Sequence, residues 1–134
     1  MGSISGVGAA LDVAEIPVMA TALNVSSGNV ANAIASAAIP AKAGQAAYVT
    51  GFQITASGAT AAAVVNATLA GVAGGTMTFT FVFPAGVGVG ALPLIVSFSP
   101  AVAASGPNTA LTLSLPAGGA GNTNAAVNVQ GFYL

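Results

Sequence analysis

From Thr76 to Phe83 the chain reads TMTFTFVF, with Met77, Phe79, Phe81 and Phe83 at one parity and Thr76, Thr78, Thr80 and Val82 at the other. Successive side chains of an extended strand point to opposite faces, so this unbroken period of two specifies a strand with one buried face. A helix would scatter the phenylalanines around its circumference. The same alternation recurs along the chain. Tyr48 to Thr55 sets Tyr48, Phe52 and Ile54 on one side, and Val64 to Leu69 separates Val65, Ala67 and Leu69 from Val64, Asn66 and Thr68. Leu94 to Phe98 aligns Leu94, Val96 and Phe98, and Ala110 to Leu115 aligns Leu111, Leu113 and Leu115. Ala125 to Tyr133 aligns Val127, Val129 and Tyr133, and Asn32 to Ile39 reads as a seventh strand.

Alanine is the commonest residue and by propensity favours helix, but the periodicity outweighs it. Turn signals separate the strands at Ser57-Gly58, Gly74-Gly75, Pro84-Ala85-Gly86, Ser105-Gly106-Pro107-Asn108 and Pro116 to Asn124. Short strands at this spacing predict an all-β chain, an antiparallel β-sandwich that is jelly-roll-like. The apolar pattern is weak before about residue 30. Residues 1–30 are therefore expected to form an extended N-terminal arm, with room for an added strand at Val18 to Val25, and residues 31–134 the β-sandwich domain. The faint echo between Ala67 to Gly71 and Thr112 to Gly118 reads as two similar strand ends, not as a solenoid repeat.

Charge narrows the function classes. Only Asp12, Glu15 and Lys42 are charged at pH 7, and the chain has no Arg, His, Cys or Trp. Charged residues make up 2% of it, against about a quarter in an ordinary globular protein. One lysine cannot supply the counterion release that drives nucleic-acid binding, and no basic cluster is present to attract an anionic membrane surface. The longest apolar stretches, Gly58 to Gly75 and Leu92 to Ala104, are interrupted by Asn66 with two threonines and by Pro93 with Pro100. Neither makes the roughly 20-residue span of a membrane helix. Met1-Gly2-Ser3-Ile4 has no positive n-region, so the expectation is a soluble chain without a classical signal peptide. Uncharged surfaces associate readily, which implies that other protein chains cover much of this one.

No catalytic, cofactor-binding or metal site is expected. Acid-base and nucleophilic catalysis need a group that titrates near working pH, and the two carboxylates sit in the least patterned segment, where a solvated arm is the simpler role. Lys42, within Pro40-Ala41-Lys42-Ala43-Gly44, reads as a turn lysine keeping its head in water. The donor sets of tight metal sites are missing. Gly118-Gly119-Ala120-Gly121-Asn122 has the glycine of a phosphate loop but neither its lysine nor its following helix. Thr76, Thr78 and Thr80 suggest an ice-binding array, but Thr112 and Ser114 lie far away in the sequence, and threonine on an exposed strand face is expected from β propensity alone. For stacking on a sugar, only Tyr48, Phe132 and Tyr133 are candidates.

Ser26-Ser27-Gly28-Asn29-Val30-Ala31-Asn32-Ala33, followed by Ala46-Ala47-Tyr48-Val49-Thr50-Gly51-Phe52-Gln53-Ile54-Thr55, resembles the decoration (cement) proteins on the heads of tailed bacteriophages. The resemblance continues through Gly58-Ala59-Thr60-Ala61, Phe83-Pro84-Ala85-Gly86-Val87, Pro107-Asn108-Thr109-Ala110, Gly119-Ala120-Gly121-Asn122-Thr123 and Gly131-Phe132-Tyr133. It implies a jelly-roll or related sandwich that forms a homo-oligomer, a trimer ahead of a dimer, on the outer surface of the virion. There it would hold neighbouring major capsid proteins together, after synthesis in the cytoplasm of the bacterial host. The arm's general role would be capsid or neighbour contact. A receptor- or glycan-binding adhesin domain on the same scaffold is the alternative.

Overall fold

The structure, a computed structural model, describes residues 16–134. Eight strands follow one another, with no helix among the described residues: β1 (Thr21–Ser26), β2 (Ala35–Ile39), β3 (Ala47–Ala56), β4 (Ala63–Ala70), β5 (Met77–Phe83), β6 (Leu94–Ala103), β7 (Leu111–Leu115) and β8 (Ala125–Tyr133). Sheet one has the order β1-β8-β3-β6 and sheet two the order β2-β7-β4-β5. Every pairing is antiparallel. The chain changes sheet at each connection except the β4–β5 hairpin, which is the jelly-roll order of a two-sheet sandwich.

The alternation read from the sequence is what fills the space between the sheets. Val127 and Val129 of β8, Leu111, Leu113 and Leu115 of β7, and Phe81 and Phe83 of β5 are buried in one core with Ile39, Ile54 and Leu69. Ala35, Ala37, Ala47 and Ala67 also lie in it.

Three features depart from the expectations. Tyr48 does not share a face with Phe52 and Ile54. A register shift between Val49 and Gly51 puts one extra residue into β3, so Val49 joins Phe52 and Ile54 in the core and Tyr48 turns outward. Gly51 is the sequence mark of that bulge. The added strand expected at Val18 to Val25 is present as β1 with its bounds shifted to Thr21–Ser26; it pairs along β8 from Thr21↔Tyr133 to Ser26↔Asn128 and turns Leu23 and Val25 toward the core, so the sheet reaches back before residue 31. A truncation meant to spare the sandwich must therefore end before Thr21. Finally, β6 runs past Phe98 and through Pro100 to Ala103, which an edge strand tolerates because one side of its backbone needs no partner. No helix among the described residues is long and apolar enough to cross a membrane.

Candidate interaction surfaces

Asp12 and Glu15 lie outside the described residues. Lys42 is exposed in the turn closed by its bridge to Gln45, with its Nζ 5.0 Å from the centre of the Tyr133 ring. This is an ammonium resting on an aromatic face at the surface, worth about 0.5–1 kcal/mol. Among the described residues no three His, Cys, Asp or Glu side chains gather as a metal site would require.

The aromatic candidates are already engaged. Tyr48 stacks on Phe132 with ring centres 5.0 Å apart and an interplanar angle of 11°. Phe132 is only 5% exposed. The Tyr133 hydroxyl donates to the Pro40 carbonyl at 2.7 Å, and Lys42 occupies its ring face.

Topology brings together hydroxyls that lie apart in the sequence. Thr78 of β5 is opposite Thr68 of β4, Thr68 opposite Ser114 of β7, and Ser114 opposite Ser36 of β2. These four form one row across the outer face of sheet two, and the Ser36 and Ser114 hydroxyls are 3.4 Å apart. The neighbouring rows break the pattern: Thr112 lies between Ala70 and Ala38, and Thr80 beside Asn66. The face is polar and uncharged but is not a regular threonine lattice.

Outside sheet one, a cleft of about 480 Å³ is lined by Thr50, Gln53, Ser97, Ser99, Pro100 and Gln130, among others. Gln53 Nε2 donates to Gln130 Oε1 at 2.8 Å while Gln130 Nε2 donates to Gln53 Oε1 at 2.7 Å. Gln130 Nε2 also reaches Asn24 Oδ1 at 3.4 Å. The amides thus spend much of their capacity on one another, and no charged side chain lines the cleft.

Loops 27–34, 57–62, 84–93 and 116–124 meet at one end of the sandwich. Gly58 N–H donates to the Val89 carbonyl at 2.6 Å, Gly86 N–H to the Ala59 carbonyl at 2.7 Å and Thr60 N–H to the Ala120 carbonyl at 2.8 Å. Their hub is Asn122, 2% exposed. Its Nδ2 donates to the Ser57 and Asn124 carbonyls at 2.7 and 3.0 Å, and its Oδ1 accepts from the Asn32 N–H at 3.2 Å. The glycine-rich run expected to lack phosphate-loop chemistry therefore carries a structural amide. Asn122→Ala is expected to lower stability by about 2 kcal/mol, because buried polar groups lose their partner. Urea unfolding should show a lower midpoint with an unchanged slope.

Held in place by that network, the same end carries an apolar rim. Val87, Val89 and Leu92 project from loop 84–93, Leu92 with 87% of its surface exposed. Val64 and Val82, cross-strand partners, stand exposed on the adjoining strand ends, and exposed Ile34 and Ile95 begin or adjoin β2 and β6. No charged side chain lies in these loops. Large apolar side chains exposed around one end of a sandwich mark a candidate contact surface. In comparisons with protein families, characterised proteins and solved structures, the chain matches none.

Proposed function

We propose that the chain is a virion structural protein, a decoration or cement protein that binds the outside of a phage head and ties neighbouring major capsid proteins together. The observation that carries this reading is the apolar rim on a jelly-roll-like module whose sole charged side chain among the described residues is Lys42. Such a surface attaches by fitting apolar side chains into a partner and satisfying backbone groups, not by ion pairing. Avidity from several copies per oligomer would make modest contacts durable. A chain with almost no acid-base side chains suits this role better than catalysis.

The test is co-sedimentation with capsids lacking the protein. Attachment is expected to change by less than about twofold between roughly 50 mM and 1 M NaCl, since few charges are available to screen. Replacing Val87 and Leu92 together by Asp is expected to weaken it by about tenfold or more. Release by moderate salt, or binding unaffected by the double substitution, would sink the proposal. The alternative, a receptor- or glycan-binding adhesin, would draw on the neutral cleft over sheet one. Attachment to particles that free sugar competes away would favour it.

A further inference from the structure

Four strands form the sheet edges, and three of them are blunted. β6 contains Pro100, β2 has five residues and runs into Pro40, and β1 has six residues with its outward positions polar or small. β5 differs. Its seven residues contain no Pro, Gly or charge, and its pairing with β4 is regular from Ala63↔Phe83 to Leu69↔Met77. Among the described residues nothing pairs with its other side. Natural sheets protect such an edge with a charge, a proline or a bulge, because its unpaired N–H and C=O groups template a further strand. The core is also incompletely closed there. Phe81 and Phe83 are buried, but Met77 and Phe79, on the same inward face, are only partly so.

We propose that β5 pairs antiparallel with β5 of a second copy, about a two-fold axis through Thr80, joining two four-stranded sheets into one of eight. The strand is self-complementary in this register. Centring on Thr80 pairs all seven residues, and each meets a partner of its own parity, so inward side chains stay inward. Phe79 then lies opposite Phe81 of the second copy and Met77 opposite Phe83, which covers the two half-exposed side chains. Thr80 faces its own symmetry mate on the outside. Aromatic and threonine pairs of this kind are among the favourable cross-strand neighbours. The contact is isologous and closes at two, so it gives a dimer, where the family resemblance put a trimer first. It stands on the strand edge alone, whether or not the chain binds a capsid.

Light scattering on the full chain is expected to give twice the 12.5 kDa monomer mass, with dissociation on dilution. The chain has no cysteine, so Thr80→Cys supplies a single thiol. Directly opposed Cβ atoms lie about 4.5–5.5 Å apart, close enough for a disulfide to form with a small local adjustment. Mild oxidation should link Thr80→Cys chains in pairs and leave Asn66→Cys, one strand inward on the same face, unlinked. Thr80→Lys opposes like charges and is expected to raise the dissociation constant by about tenfold or more. Thr78→Lys combined with Val82→Asp, opposed only in this register, should retain the dimer. A concentration-independent monomer, an oligomer in which Thr80→Cys does not cross-link, or a dimer indifferent to Thr80→Lys would overturn the proposal. Each variant's unfolding midpoint establishes that it is folded.

Discussion

Gly131→Ala is expected to lose the cooperative folded state. Gly131 sits in β8, a central strand flanked by β1 and β3, opposite Val49 beside the β3 bulge. Its φ lies outside the left-handed region, so the constraint is space and not backbone conformation. A methyl group there would run into the Tyr48 carbonyl oxygen, with the Tyr48 carbonyl carbon at 2.9 Å and the Val49 Cα at 3.1 Å. All three atoms are backbone and cannot rotate aside. Relief requires prising β8 from β3, which are paired along the whole of β8. The cost is expected to be about 4 kcal/mol or more, comparable with the whole stability of many domains. Far-ultraviolet circular dichroism during urea titration tests this. A variant with a sharp transition near the wild-type midpoint would show that the two strands can separate cheaply.

Phe52→Ala is expected to cost about 3–5 kcal/mol, the range for deleting a buried aromatic ring. Phe52 is fully buried and bridges the two layers. Its ring meets Phe79 of β5 edge-on at 4.9 Å and Phe98 of β6 at 6.0 Å. Removing it withdraws contacts from both sheets at once, and the backbone of a paired central strand cannot collapse into the gap. Thermal unfolding should fall by roughly 10–18 °C for a chain of this length. A shift below about 3 °C would mean that Phe79 and Phe98 repack into the space. Because the Phe79 ring rests on Phe52 and also lies in the proposed β5 contact, Phe52→Ala is expected to weaken self-association as well, whereas Thr80→Lys acts at the edge without touching the core.

Much of the fold was legible because strand periodicity is local. Met77, Phe79, Phe81 and Phe83 had to share a face in any strand they formed, and the structure places them on the core side of β5. β3 shows where local reading stops. Assigning Tyr48 to the core followed from counting by twos, and the extra residue at the Gly51 bulge changed the parity. Gly51 and Gly131 were visible as glycines inside strand patterns, the signal of a bulge or close approach. Neither could be interpreted without knowing that β3 and β8 are neighbours. The Asn122 hub was less legible still, since its partners on residues 32, 57 and 124 come from three separate loops.

The surfaces follow the same division. Neutrality was determined by the sequence alone: all three charges precede position 43, so no arrangement of the strands could build an ionic site from the residues that follow. Alternation likewise determined which side chains could fill a core, because side-chain direction in a strand is set by backbone geometry over two residues. Pairing was decided only by tertiary structure, since antiparallel partners far apart in the chain are selected by the packing of whole sheets and no short window contains that choice. It set the Thr78, Thr68, Ser114 and Ser36 row side by side, brought four loops together at one end, and left β5 as the open edge.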